Sequence, residues 1–456
     1  MAEPINIEEK AKRAFLAGIR DEKLSREEAD SLAAELESLV NTLGLEIIGK
    51  ETVHVREKSI RFGMGTGKAE ELAQKAAALE ADCILFDRDI SPSQQRNWEE
   101  LSGIPVIDRQ ELIIQIFAGR ARTREAELQV SLAELIFALP RLQHKYIDLS
   151  RQRGGRYGTR GSGETFLETD RRRVEQRIHR LEDELEDVKR QRQVQRKQRE
   201  RQGIPVCALI GYTNAGKSSI FNALTGAGVL AEDKLFATLD SVSRRLELPR
   251  GTQVLLVDTV GFIRRLPHSL VNAFRSTLEE ASRADLLINV LDASDRNISG
   301  QYETTLSVLR ELDAANIPMI TVLNKIDLLE AGEEEITDRA SVESLLKLYP
   351  GSIPVSAVES PTGQAQGRPG SQPNSRPFGL EELRIHIEEA LSKAIIRFRF
   401  PSGRTDLAAL VHRSGQVISE KYSEYHSEEG GESYIEMEAR TDERTAGKLR
   451  EYLVNE

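Results

Sequence analysis

Val206-Cys207-Ala208-Leu209-Ile210 runs directly into Gly211-Tyr212-Thr213-Asn214-Ala215-Gly216-Lys217-Ser218-Ser219, and no other stretch restricts the fold as tightly. The five apolar residues read as a strand buried on both faces, and the glycine-rich run after them ends in Lys-Ser and opens a helix at 219–221. Strand, G-x-x-x-x-G-K-S loop and helix, in that order, make a phosphate-binding loop. Its glycines let backbone N–H groups point inward at phosphates, Lys217 reaches the terminal ones, and the Ser218 hydroxyl is placed for Mg²⁺. The competing reading, a strand-to-helix turn that binds nothing, requires all four features to coincide by chance.

The chain has 456 residues, enough for three or four domains, because single cores stop growing near about 250 to 300 residues. With 39% hydrophobic and 30% charged residues and no apolar run of bilayer length, it reads as globular and without a membrane span. MAEPINIEEKAKRAF has no apolar core of a signal peptide, so the expected location is the cytoplasm, with peripheral membrane attachment left open. Two cysteines, Cys83 and Cys207, are too few for a disulfide framework or a zinc site. The net charge of −11 argues against indiscriminate nucleic-acid binding, so the local placement of arginines matters more than their sum.

Four domains are expected: 1–121, an N-terminal α/β domain; 122–202, a long helical hairpin; 203–395, the phosphate-loop domain; and 396–456, a small C-terminal α/β domain expected to pack on the third. Residues 1–44 read as helical, with Leu32, Leu36, Leu39, Val40 and Leu43 on one face. Strands then follow at LEIIG, VHV, CILFD (83–87) and IPVID (104–108), alternating with helices at 68–79 and 97–103, which predicts a parallel sheet. Between them, Gly63, Gly65, Gly67 and Lys68 form either a tight loop at a helix N-terminus or a second anion or nucleotide site. Phe62 replaces the leading glycine and Ala69 the metal-binding hydroxyl.

A leucine-rich helix from Arg122 to Lys145 is expected to break or kink near Pro140. A second helix from Leu167 to Gln202 carries Val174, Ile178, Leu181, Leu185 and Val188 at alternating spacings of four and three, a short heptad seam. Pairing within one chain is favoured over dimerisation, so a monomer is expected. The connection Ser150–Thr165 carries Arg151, Arg153, Arg156 and Arg160 among glycines, with Tyr157 interleaved; it suits phosphates and stacked bases, or is a solvated loop.

The motifs after the phosphate loop decide which nucleotide is bound. Asp258-Thr259-Val260-Gly261 follows an apolar run, so Asp258 stands at a strand end where it can hold Mg²⁺ through water, and the Gly261 N–H can meet a γ-phosphate. Asn324-Lys325-Ile326-Asp327 also ends a strand. Asp327 can accept from both the ring N–H and the exocyclic amine of guanine, a donor pair adenine lacks, and the Lys325 stem can lie over the base. Ser356-Ala357-Val358 fits the remaining base-contacting loop, while Phe236-Ala237-Thr238-Leu239-Asp240 offers Thr238 as a second metal hydroxyl in a segment that orders around a γ-phosphate. Residues 211–219 and these four groups together predict a Mg²⁺-dependent GTP/GDP site, with Ser218, Thr238 and Asp258 on the metal and Lys217, Thr238 and Gly261 acting on the reaction. Phe262 follows Gly261 where many small GTPases place a water-orienting glutamine. A phenyl ring cannot orient water, so either a partner completes the site or another residue does so in cis. Ser360–Pro377, rich in Pro and Gly, reads as a disordered insertion.

This order of features resembles the HflX family of GTPases: GMGTGKAEEL, the arginine and glycine hairpin ending GSGET, GYTNAGKSS, LFATLD, DTVGFI, NKID and a small C-terminal domain. The resemblance spans nearly the whole chain. It implies a GTPase that associates with the large ribosomal subunit and helps split or rescue stalled ribosomes under stress, with the hairpin tip on ribosomal RNA. It also implies an ATP interaction in the N-terminal domain, which keeps the Gly63–Lys68 site open. The runner-up is a GTP-dependent switch acting on a protein effector or another RNA. A non-enzymatic RNA-binding scaffold is disfavoured by the intact Lys217, Ser218, Asp258 and Asp327.

Overall fold

The structure, a computed structural model, describes residues 11–22, 24–56, 59–152, 162–200, 204–228, 235–236, 238–239, 241–265, 280–330, 337–357, 378–393, 395–423, 433–441 and 443–454. The N-terminal unit contains β1 (Arg13–Arg20), α1 (Arg26–Leu43), β2 (Glu46–His54), α2 (Thr66–Ala78), β3 (Cys83–Phe86), α3 (Pro92–Ser102), β4 (Val106–Ile107) and α4 (Arg109–Arg120). Its four strands are parallel in the order β2-β1-β3-β4, as the alternation predicted. The helical reading of 1–44 is corrected at its first half. Ala14 to Ile19 form a strand next to the sheet centre, buried on both faces, a pattern whose short apolar run cannot be told from a buried helix by periodicity. Helix α1 begins only at the Ser25/Glu28 capping box and ends at Gly44, whose φ of 82° admits no ordinary side chain cheaply.

The Gly63–Lys68 stretch is a tight loop at the start of α2. Trp98 Nε1 donates to the Phe62 carbonyl at 3.1 Å, and Lys68 Nζ pairs along the helix with Glu71 at 2.7 Å. Its lysine therefore does not curl over the loop as Lys217 does over the other.

Helices α5 (Arg124–Gln152) and α6 (Ser162–Glu200) form the hairpin. The seam residues Ile178, Leu181 and Leu185 bury against Leu128 and Leu132 of the same chain, flanked by Val174, Val188, Leu135, Ile136 and Leu139. Pro140 lies inside α5, which runs on through it, so of the two expected outcomes the break does not occur. The missing proline N–H costs one bond, and packing on both sides holds the helix together, with Arg141 Nη1 donating to the Phe137 carbonyl in the same turn. Arg153, Arg156, Tyr157 and Arg160 lie outside the described residues.

The third unit has β5 (Val206–Gly211), α7 (Lys217–Thr225), β6 (Val242–Glu247), β7 (Gln253–Asp258), β8 (Leu286–Asp292), α8 (Ile298–Glu311), β9 (Met319–Asn324), α9 (Ile326–Glu330), α10 (Thr337–Leu348), β10 (Ile353–Pro354) and α11 (Leu380–Lys393). The sheet order is β10-β9-β8-β5-β7-β6, parallel except for β6, which the Arg250-Gly251 turn folds back against β7. The glycine there has φ 89°. The 360–377 insertion lies outside the described residues. The last unit, β11 (Ile396–Pro401), α12 (Thr405–Ser414), β12 (Gly415–Ser423), β13 (Tyr434–Thr441) and α13 (Glu443–Lys448), is an antiparallel sheet ordered β11-β13-β12. Among the described residues its core of Phe398, Phe400, Val411, Ile435 and Met437 is built from this unit's own side chains.

The first and third units, by contrast, share one core. Leu36, Leu39 and Val40 of α1 and Ile113, Ile116 and Phe117 of α4 are continuous with Tyr212, Leu235, Phe236, Leu239, Val260 and Ile263. Phe117 and Phe236 meet edge to face at 4.6 Å, and Leu235 N donates to Thr42 Oγ1 at 3.2 Å.

Candidate nucleotide site

Four of the five motifs predicted to touch nucleotide follow the C-terminal ends of β5, β7, β9 and β10, the crevice an open α/β sheet offers a ligand, and the fifth leads into β6, whose first residue Val242 pairs with Asp258 at the end of β7. The loop from Gly211 to Gly216 is held open by backbone that only glycine adopts freely. Gly211 has φ 133°, and a Cβ there would meet the Val290 carbonyl at 2.2 Å; Gly216 has φ 93°, and its Cβ would meet Asn324 Nδ2 at 2.1 Å. Helix α7 starts at Gly216 with no side-chain cap, leaving its first N–H groups to the loop. Lys217 is buried over this cradle, and its Nζ donates to the Tyr212 and Gly211 carbonyls at 2.7 and 3.2 Å. Burial pulls its ammonium down to about 8, with Asp258 opposing that shift and Lys325 adding to it.

Ser218, Thr238 and Asp258 converge although they come from α7, the segment before β6, and the end of β7. Ser218 Oγ lies 2.7 Å from both Thr238 Oγ1 and Asp258 Oδ2, and Thr238 Oγ1 lies 3.1 Å from the same carboxylate oxygen. The other oxygen, Asp258 Oδ1, is buried and has no hydrogen-bond partner among the described residues, and burial pushes this carboxyl above its usual range against the pull of Ser218 and Lys217. Two hydroxyls and one under-satisfied carboxylate are hard oxygen donors of the kind Mg²⁺ accepts.

The Gly261 segment lies across the phosphate loop. Thr213 N donates to the Phe262 carbonyl at 2.8 Å and Phe262 N to the Gly211 carbonyl at 3.0 Å. The absent Gly261 side chain would fall 2.7 Å from Thr213 Cα and 2.8 Å from Lys217 Nζ, so nothing larger than glycine fits beside the lysine. The Phe262 ring is buried among Ala208, Ile210 and Leu287. On the base side, Asn324 Nδ2 donates to the Ala215 carbonyl at 2.9 Å, tying the two loops, and Ser356 Oγ donates to Asp327 Oδ1 at 2.7 Å. Thr259 is turned inward, its hydroxyl donating to the Leu209 carbonyl at 2.6 Å.

Several of the residues expected to bind nucleotide spend their side chains elsewhere, Thr259 and the core residue Val260 among them. Phe236 and Leu239 point into the core shared with the N-terminal unit, and the Tyr212 hydroxyl donates to Glu35 of α1, leaving only their main chains for a ligand. Ala237, Asp240 and Val358 lie outside the described residues. Glu35 was not anticipated. It also receives Arg109 and the Arg264 Nε at 3.0 Å, while Arg264 N donates to the Tyr212 hydroxyl at 2.9 Å. A lone glutamate on an amphipathic helix gives no sequence signal of such a role.

A phosphate loop, a cluster of hydroxyls with one aspartate, and an Asn-Lys-x-Asp loop at the strand ends of this sheet define a P-loop GTPase. Residues 30–118, 120–199 and 206–325 match, in turn, the families described as GTP-binding GTPase N-terminal, GTP-binding GTPase Middle Region and 50S ribosome-binding GTPase. Relatives named GTPase HflX include one from Akkermansia muciniphila, 46% identical over 91% of this chain and 93% of its own length. Another, from Lacrimispora saccharolytica, is 47% identical over 93% and 94%, and the Escherichia coli one is 47% identical over 66% and 71%. The chain belongs to the HflX family of GTPases, and it binds and hydrolyses GTP. A solved GTP-binding protein from Sulfolobus solfataricus in complex with GDP is 24% identical, with a TM-score of 0.41 over 84% of this chain and 99% of that one.

Proposed function

We propose that the chain hydrolyses GTP with Mg²⁺ in order to act on the large ribosomal subunit, splitting or rescuing stalled ribosomes. Support for the ribosomal target comes from residues 206–325, which match the family described as 50S ribosome-binding GTPase. Ser218 and Thr238 would hold the metal directly and Asp258 through water; the ion's contribution is to neutralise charge on the terminal phosphates. Lys217 binds the β- and γ-phosphates, and the Gly261 N–H orients the γ-phosphate. Asn324 joins the base loop to the phosphate loop, and Asp327, held by Ser356, reads the guanine edge.

Since the Phe262 ring is buried in the core, no side chain at that position orients water. Hydrolysis by the isolated chain is therefore slow, and the ribosome rearranges the Gly261 segment or supplies the missing group, which is worth several orders of magnitude in rate. The arm formed by α5 and α6 carries Arg151, Arg153, Arg156, Tyr157 and Arg160 to ribosomal RNA. Single-turnover hydrolysis measured with and without large subunits tests the reading. Acceleration of at least a hundredfold is expected, and an equally fast rate without the subunit contradicts it.

A further inference from the structure

The Asn324–Asp327 loop is braced from outside its own motif. Lys325 Nζ pairs with Asp292 Oδ2 at 2.7 Å, at the C-terminal end of the neighbouring strand β8. Asp292 is itself fixed. Its Oδ1 accepts from Ser294 N at 3.0 Å and from Ser294 Oγ at 2.5 Å, which winds Asp292-Ala293-Ser294 into an Asx turn. Ala293 N donates to the Asn324 carbonyl at 2.9 Å, so turn and loop are also joined by main chain. Lys325 stands at φ 64°, a left-handed conformation that costs a non-glycine residue energy and persists where surrounding structure imposes it.

We propose that Asp292 is a positioning residue for the guanine base. It anchors the Lys325 ammonium, and the alkyl stem between ammonium and backbone is thereby laid out as an apolar rail for the face of the purine. This rests on the reading of Asn324–Asp327 as the guanine-contacting loop. An untethered lysine stem loses its rotamer freedom when a ring packs on it; a stem already held at both ends has lost it beforehand, so the base binds more tightly. Contact with the ring face is blind to the substituents on its edge. Asp292 therefore raises affinity for any purine nucleotide of the same outline, whereas Asp327 selects among them.

Equilibrium binding of GDP, GTP and ITP to full-length Asp292→Asn, Lys325→Met and their double variant, and of GTP and XTP to Asp327→Asn, tests this division of labour. Lys325→Met keeps an apolar stem and removes only the anchored ammonium, so it carries the test should Asp292→Asn fold poorly. Each single variant is expected to weaken all three nucleotides by the same factor, about tenfold, the size of one lysine's rotamer loss. The double variant should be no weaker than either single. Unchanged GDP affinity in both singles, or multiplicative losses in the double, overturns the proposal. In the Asp327→Asn arm, a preference moved from GTP to XTP upholds the base loop even if Asp292 proves neutral. An unmoved preference there means that the loop reading has failed instead.

Discussion

In the proposed site Lys217 holds the charge on which triphosphate binding turns. Its ammonium, pulled down to about 8 by burial, is the form a triphosphate favours, so binding raises that value again. Affinity is thus full below about pH 8 and weakens above it, by up to about tenfold per unit. In the unliganded fold the same depressed value destabilises, most below about 8, and the cost is relieved as pH climbs toward the ordinary 10.5. Titration calorimetry from pH 7 to 9.5 should show the GTP dissociation constant rising at the alkaline end, and a flat profile contradicts the burial argument. Gly261→Ala should cut turnover about a hundredfold or more, comparable to losing one transition-state donor. Its new methyl must displace the Thr213 backbone. Affinity for GDP, which has no γ-phosphate, should change only a few-fold; turnover like that of the unmodified protein sinks the assigned role of Gly261. At this scale much of the site was legible in the sequence, because Lys217, Ser218, Asp258, Asn324 and Asp327 sit at fixed spacings beside strand ends. Phe236 and Leu239 were not, because the partners that claim their side chains lie more than a hundred residues earlier, in α1 and α4.

Among the elements, the decisive junction joins α1 and α4 to the phosphate loop and the Gly261 segment. Glu35 holds Arg109, Arg264 and the Tyr212 hydroxyl in one buried network, flanked by the Phe117–Phe236 contact. Removing the carboxylate leaves Arg109 buried and unpaired, so Glu35→Ala should cost about 3–5 kcal/mol. Urea unfolding followed by the N-terminal unit should report that loss, and a variant as stable as the parent would mean the network is not stabilising. The strands that alternate with helices were readable from their apolar runs, as at CILFD (83–87), where β3 covers Cys83–Phe86. The first strand, Arg13–Arg20, was read as helix because a short run buried on both faces carries no period of its own. The hairpin seam was readable since its spacing of four and three named the buried face before the partner helix was known.

For the molecule as a whole, the arrangement is a nucleotide switch fastened to an N-terminal unit and bearing a long arm. The 39 residues of α6 span about 60 Å at the helical rise, so Ser162 and Glu200 stand far apart along the arm. Among the described residues no helix is long and apolar enough to cross a membrane. The net charge of −11 repels RNA in general, so the proposed ribosomal binding would depend on the few arginines between Ser150 and Thr165 and fall steeply with salt. Co-sedimentation with large ribosomal subunits tests this most directly. The expected result is binding in GTP that is weaker in GDP and lost in Arg153→Glu plus Arg156→Glu. Equal binding in both nucleotides, or binding that survives the charge reversal, contradicts it.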